Sequence, residues 1–501
     1  MRTALALVAV ALTAANAAAA GGIWSGYGRD AQHSAIAPAP AQPLAQIHWS
    51  TPVDLDPQYS GDALLIHYGS PLVTRDDIVI VTVKTGATDG FRFEARRADT
   101  GTTLWTLATD YTLPAHNWVP SVGPAVARSR LFVPAAGGTV LRRNQLRRAS
   151  APVRRLAFYG AAAHDADPAS FDATVWISTP LTADAHGNLY FGFIAVDGAP
   201  AGLESGVARL TPSGHGTWTA ASAAAVDASI VKVVTGSAPA LSADGRRLYV
   251  VVADGSAAGY LVALDARTLA PLARVRLVDV AFPANAAILS DNGTASPTVG
   301  PDGDVYIGVL ERPFPSHHDR GWLLHFDATL STTKTPGSFG WDDTPSIVPT
   351  AAVPSYAGTS SYLLLTKYND YAGIGGDGVN RIAVLDPNAT MTDPISGATV
   401  MREVLTIAGP TPDPEHRDAA HPSAVTEWCV NTAAIDVAGR SALVNNEDGV
   451  LYRWDFTTNT LAEHVILTGG LGEAYTPTVV GPDGTVYAIG NATLFAVGAA
   501  P

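Results

Sequence analysis

The chain has 501 residues, a formal net charge of −14, and a composition that is 47% hydrophobic and 15% charged. That length suits two or three average domains or one large all-β domain. The acidic balance argues against a nucleic-acid partner, because phosphate binding needs a basic stripe. Lysine occurs only at Lys84, Lys232, Lys334 and Lys367, so arginine supplies nearly all the positive charge.

Residues 1–20 read as a secretory signal. Arg2 supplies the charge, Leu5 to Leu12 the short apolar core, and Ala15-Asn16-Ala17 or Ala18-Ala19-Ala20 an A-x-A cleavage site. The apolar run is too short for a membrane span, and no cysteine follows it to carry a lipid. An exported protein, periplasmic or secreted, without a membrane anchor and monomeric, is expected. Residues 21–45, rich in Gly, Ala and Pro, predict an extended N-terminal arm, and residues 46–501 a single domain. Cys429 is the only cysteine, so no intrachain disulfide can form. In Trp428-Cys429-Val430 it reads as a small buried hydrophobe rather than a reactive thiol.

Gln46 to Val53 is β-prone but has no partner nearby in sequence. Then one phrase recurs, led by Ser70-Pro71, Gly123-Pro124, Thr179-Pro180, Ala238-Pro239, Ser296-Pro297, Thr344-Pro345, Thr432-Ala433 and Thr476-Pro477. Each lead pair opens a short apolar strand, a turn and a second strand. The clearest copy is Ala295 to Leu310, where Asp302-Gly303 between two apolar runs is a strong hairpin signal. Third strands often end in a hydrophobe-Asp corner, as at Asp265, Asp327, Asp386 and Asp455. Four short strands per unit of roughly 40–50 residues is the signature of propeller blades. The last unit runs out after three strands, and the orphan strand at its opposite end can supply the fourth. An all-β, eight-bladed β-propeller of four-stranded antiparallel blades follows, with seven blades as the alternative and stacked β-sandwiches as the competing fold.

Ala98-Asp99-Thr100-Gly101-Thr102-Thr103-Leu104-Trp105 resembles the Ala-x-Asp-x-x-Thr-Gly-x-x-x-Trp blade ending of the PQQ repeat. Trp24-Ser25-Gly26-Tyr27-Gly28-Arg29-Asp30 and Leu44-Ala45-Gln46-Ile47 are similar to the opening segment of such proteins. The resemblance implies a quinoprotein alcohol dehydrogenase-like propeller, a superfamily that holds dehydrogenases and also proteins without cofactor. Its dehydrogenases often stack their cofactor on a disulfide between adjacent cysteines. This chain, with Cys429 alone, cannot form one.

In a propeller, the segments before the inner strands and the loops between second and third strands meet on one rim. Sorting unusual residues by that rule gives a candidate ligand-binding rim of His67, Trp118, Asp291, Asn292, Trp341, Asp370, Trp428, Asn431, Glu473 and Tyr475. Glu311, His317, His318, Asp319, Arg320, Asn446 and Glu447 lie on the same side. Carboxylate and amide oxygens suit Ca²⁺, with Asp291, Asp342, Asp343 and Asn431 as candidate ligands. Aromatics beside carboxylates suit a saccharide, peptide or protein groove. Solvated strand ends are the plain reading. The insertion from Gly409 to Thr426 is long enough to cross the rim. Two functions follow: an exported binding module using this rim, or a PQQ- and Ca²⁺-dependent dehydrogenase with Asp342 or Asp343 as base.

Overall fold

The computed structural model describes residues 23–61, 63–291, 293–469 and 477–500. The signal segment, Asn292, Glu473, Tyr475 and Thr476 lie outside the described residues. Among the described residues, no helix is long and apolar enough to cross a membrane.

Eight antiparallel sheets follow one another along the chain, which decides for eight blades over seven and against stacked sandwiches. Their inner strands begin directly after the lead pairs, as at Leu72–Val73, Ala125–Ala127, Thr298–Val299, Ser346–Pro349 and Ala434–Asp436. Proline there costs no ladder bond, because its missing N–H falls outside the strand. The Asp302-Gly303 hairpin forms as expected. Gly303 takes a φ of +91°, a backbone conformation that glycine reaches without strain.

Burial grades outward across each blade. Ile78–Lys84, the second strand of blade 1, is buried at every position. Thr460–Ile466, the outer strand of blade 7, alternates exposed and half-buried positions. Second strands therefore carry unbroken apolar runs, while outer strands need only one apolar face. Blade 5 is the least regular. Its outer edge is bridged by Thr333 and Gly337 and covered by the long hairpin of blade 6, whose Met401 N–H donates to Pro336 O at 2.7 Å.

Ring closure is as the orphan strand requires. Gln46–Pro52 pairs antiparallel with Thr493–Gly498, from Gln46 opposite Gly498 to Pro52 opposite Thr493. First and last segments of the domain thus share blade 8. The repeat motif locks neighbouring blades onto each other. Trp49 Nε1 of blade 8 donates to Ala98 O of blade 1 at 2.7 Å, and Trp105 Nε1 of blade 1 donates to Leu146 O of blade 2 at 2.5 Å.

The arm is not a free entry segment. It circles the inside of the ring and bonds the inner strands in blade order. Val126 N donates to Ser25 O, Leu241 N to Ala31 O, Val299 N to Gln32 O, Ile347 N to Ser34 O and Ile435 N to Ala35 O, all within 2.7–3.0 Å. With the Trp24–Val73 pair on blade 1, the channel-facing edges of blades 1, 2, 4, 5, 6 and 7 are therefore paired by the chain's own N-terminal segment. Among the described residues, three short α-helices fall outside the all-β reading, at Ala161–Ala166, Pro168–Thr174 and Ala221–Ala225, the second capped by Asp167, which accepts from Ser170 N.

Candidate functional site

The rim that the sequence singled out is one end of the ring, and its polar side chains come from non-adjacent blades. His67 precedes blade 1 and Asp342 precedes blade 6, yet His67 Nε2 lies 3.5 Å from Asp342 Oδ2. The pair spans the mouth of the channel. Trp118, leading into blade 2, stacks on His67 with ring centroids 5.5 Å apart.

Asp342 has a left-handed backbone, φ +47°, uncommon for a residue other than glycine. That turn sends its carboxylate inward, where Oδ1 accepts from Thr294 N at 2.6 Å and Thr294 Oγ1 at 2.7 Å. Asp343 faces the other way, and Oδ2 accepts from Thr366 Oγ1 at 2.5 Å. The two carboxylates differ sharply in proton affinity. Burial would raise Asp342, but the His67 imidazole, the Lys367 ammonium and the Thr294 hydroxyl outweigh it and hold the carboxyl at about 2. Burial dominates at Asp343 and pushes it up to about 7, against the opposing pull of Lys367 and Thr366. Asp319 is likewise raised to about 7, by burial and by neighbouring Glu311. Adjacent carboxyls with opposed proton affinities can serve as a fixed acceptor and a titrating group near neutral pH.

Lys367 was not among the candidates, and the structure places it at the centre of this group. It ends the second strand of blade 6, 3% exposed. The other three lysines are ion-paired: Lys84 to Asp54 at 2.8 Å, Lys334 to Asp304 at 2.5 Å, and Lys232 to Asp291. Buried Lys84 also donates to the carbonyls of Asp56, Gly86 and Ala87. Lys367 Nζ has no ion pair or hydrogen bond among the described residues; the Phe339 ring lies 5.9 Å away, and the Asp319, Asp342 and Asp343 carboxyls feel its charge from farther than an ion pair. A buried ammonium is costly unless paired, so this one stands out. Arg320 flanks the same ring, with its guanidinium 6.0 Å from Phe339 and 4.3 Å from Tyr368. The available sequence signal was rarity: Lys367 is one of only four lysines.

The remaining candidates disperse. Asp291, itself exposed, pairs with half-buried Lys232 and accepts from Thr235 N at 3.0 Å. Asp370 pairs with His318 at 2.8 Å. Asn431 is buried, bonded to Tyr27 and Thr294. Trp341 is half-buried over a small pocket that it lines with Asp342, Gly293, Leu289 and Val309. Trp428 is fully buried against Tyr452, its backbone held by Asn369, so its face does not reach the rim. The proposed oxygen ligands thus each turn to a protein partner. Among the described residues, the one trio of His, Cys, Asp or Glu ligand atoms lying within 4.8 Å of one another is Glu427, Cys429 and Glu447. Cys429 is buried and in no disulfide, as its sequence context suggested. His317 is fully buried and stacks on Trp322 with Asp393 at 3.1 Å, a structural contact to the blade 6 hairpin. The 409–426 insertion buttresses this rim, bonding Gly378 through Val425 N and Asp448 through Thr411 Oγ1.

No protein-family model matches the chain, and no curated protein sequence matches it at a significant level. Solved structures do match over nearly its whole length. A europium-containing methanol dehydrogenase gives a TM-score of 0.56 at 10% identity, covering 94% of this chain and 90% of that one. The quinohemoprotein alcohol dehydrogenase of Comamonas testosteroni gives 0.57 at 12% identity, covering 96% and 81%. Sqt1 of Saccharomyces cerevisiae gives 0.52 at 11% identity, covering 92% and 100%. At these identities the likeness is one of fold: the chain shares the propeller of the quinoprotein alcohol dehydrogenases, as its blade-ending motif implied. The ring alone fixes no chemistry.

Proposed function

We propose that this chain is a ligand-binding propeller whose rim site takes a small anionic molecule held by Lys367. One observation carries the reading: among the described residues the buried Lys367 ammonium has no ion pair or hydrogen bond, while the three other lysines are ion-paired, and Asp319, Asp342 and Asp343 feel its charge only from beyond ion-pair distance. A carboxylate or polarised carbonyl oxygen would meet the need that the protein leaves open. Asp343, titrating near neutrality, and Asp342, held ionised, flank the site with one group that can carry a proton and one that accepts.

A second reading, an oxidoreductase of quinoprotein type, is favoured by the fold likeness to two dehydrogenases. The cations Lys367 and Arg320 suit the anionic side of a PQQ-class quinone by charge, although neither lines the small pocket beneath Trp341. Lys367 and Arg320 would hold its oxygens, and half-buried Trp341 offers an indole face. Bound there, the group would supply a two-electron acceptor. Asp343, which titrates near neutrality, would then accept a proton from an alcohol hydroxyl, Asp342 would stay ionised beside it, and the apolar wall of Leu289 and Val309 would keep water away. Trp428, which is buried, and Cys429, which stands alone, take no part in this fit.

Melting temperature and quinone absorbance, followed while PQQ, Ca²⁺, both together, and citrate are titrated, test both readings. A ligand at a hundredfold excess over its Kd stabilises by about 2.7 kcal/mol. A rise with PQQ supports the quinoprotein reading. A rise with citrate alone leaves a simple anion site. No rise with any of the anions removes the rim-site proposal.

A further inference from the structure

Tyr27 belongs to the N-terminal arm, far from the rim in sequence, yet its phenol ends beneath the rim site. The hydroxyl donates to Asn431 Oδ1 and lies 3.0 Å from Thr294 O and 2.8 Å from Thr344 Oγ1. Its ring meets His33 edge-on at 5.0 Å, and the residue is 4% exposed. From there the hydrogen bonds run in one direction. Asn431 Nδ2 donates to Thr294 Oγ1. The Thr294 hydroxyl, having accepted, donates onward to Asp342 Oδ1 at 2.7 Å. The other oxygen of Asp342 faces His67. We infer that Tyr27 is a positioning residue for the rim site: its hydroxyl fixes the Asn431 amide, and through Thr294 it aims the Asp342 carboxylate.

The direction of the chain matters. Asn431 Nδ2 also reaches Asp342 O at 3.4 Å, a carbonyl that can only accept, so a further contact agrees on the same amide orientation; Thr432 Oγ1 divides its proton between Thr344 O at 3.1 Å and Asn431 Oδ1 at 3.2 Å. With its oxygen committed to Tyr27, the amide must present N–H to Thr294, which forces the threonine proton toward Asp342. Burial pushes the phenol well above its usual pKa, and the Asp342 charge adds to that, so Tyr27 remains a donor at any working pH. The groups facing Asp342 are His67 from blade 1, Lys367 and Asp343 from blade 6, and Thr294 from blade 5. None of these comes from the arm. Tyr27 is the arm's route into the site.

This inference rests on the rim being a ligand site, and its test separates the two. In Tyr27→Phe the ring and its contact with His33 stay, while the hydroxyl goes. The side-chain amide of Asn431, read by nuclear magnetic resonance without ligand, is expected to exchange with solvent roughly tenfold faster or more. PQQ affinity, measured by calorimetry, is expected to fall roughly tenfold, the size of loss seen when a residue that orients a ligand-contacting group is removed. Thr294→Val should reproduce the affinity loss with the arm untouched, and Thr294→Ser, which keeps the hydroxyl, should restore it. An unchanged Asn431 amide in Tyr27→Phe overturns the inference, whatever PQQ does. A faster amide together with no PQQ binding by the natural chain keeps Tyr27 as the orienter of Asn431 and overturns the ligand-site reading instead.

Discussion

Trp24 and Val73 exchange a closed pair of backbone hydrogen bonds, Trp24 N to Val73 O at 2.9 Å and Val73 N to Trp24 O at 3.0 Å. This is where the arm docks on the inner edge of blade 1, before it passes in turn to blades 2, 4, 5, 6 and 7. Gln42 N then donates to Gly484 O of blade 8, and residues 46–52 become that blade's outer strand. A single N-terminal segment therefore pairs the inside of the ring and closes its outside.

The fully buried indole of Trp24 anchors that path. Trp24→Ala should destabilise the ring by about 3–5 kcal/mol, the usual cost of truncating a buried tryptophan. Urea unfolding measures it. A loss below about 1 kcal/mol would mean that the arm contributes little to the fold.

Gly101 explains why the blade-ending motif carries a glycine. Its φ is +67°, and a Cβ there would sit 2.6 Å from Trp49 Cδ2 of the closing strand. Gly101→Ala should cost about 1–3 kcal/mol for the backbone conformation alone. It should also shift the Trp49 fluorescence toward that of solvent-exposed indole. A blue or unchanged spectrum with full stability would show that the contact with Trp49 is dispensable.

Much of this architecture was legible in the sequence, and for physical reasons. Proline at Pro71, Pro124, Pro297 and Pro345 marks strand starts because its missing N–H can be tolerated there. Gln46 to Val53 stood out as a strand whose partner had to be distant. The rim was legible as a set of positions, not as a set of contacts. Periodicity assigns a residue to a loop, but it cannot say that Asp342 meets His67 across the ring, or that Asp291 is taken by Lys232. Trp428 looked like an exposed aromatic because it precedes an inner strand, but packing against Tyr452 buries it. Tyr27 and Lys367 went unselected for opposite reasons. Tyr27 lies in a Gly-rich arm whose path only the closed ring defines. Lys367 sits at the end of an apolar strand, where a lysine usually projects its head group into water.

Asp343 gives the account a pH signature. Its carboxyl is raised to about 7 in the folded chain, against about 3.9 when unfolded. A raised acid contributes stability that is complete below the unfolded value and is lost as pH climbs through the folded one. Between about pH 4 and 8 this group should cost the native state on the order of 4 kcal/mol at most. Asp343→Asn removes that slope. The variant should therefore gain stability relative to the natural chain at pH 8 and show no gain at pH 4, as followed by urea unfolding at each pH. A gain of equal size at both would place the effect in packing rather than titration.

The same carboxyl should couple to the ligand. If an anion pairs with Lys367, it adds negative charge near Asp343 and raises that group's proton affinity further. Binding near pH 7 should then take up a fraction of a proton, which calorimetry in buffers of different ionisation enthalpy detects. Proton release on binding would place the anion away from Asp343.

The central claim is that Lys367 waits for an anionic partner, and one measurement bears on it most directly: PQQ and citrate affinity for the natural chain and for Lys367→Met, compared by calorimetry at fixed ionic strength. Methionine keeps the length and apolar stem and removes the charge; because Lys367 also helps hold the buried Asp342 carboxylate ionised, the melting temperature is read beside the affinity to confirm that the variant is folded. The account predicts that the natural chain binds at least one of the two anions and that Lys367→Met binds it at least tenfold more weakly. Equal affinity in both proteins would contradict it.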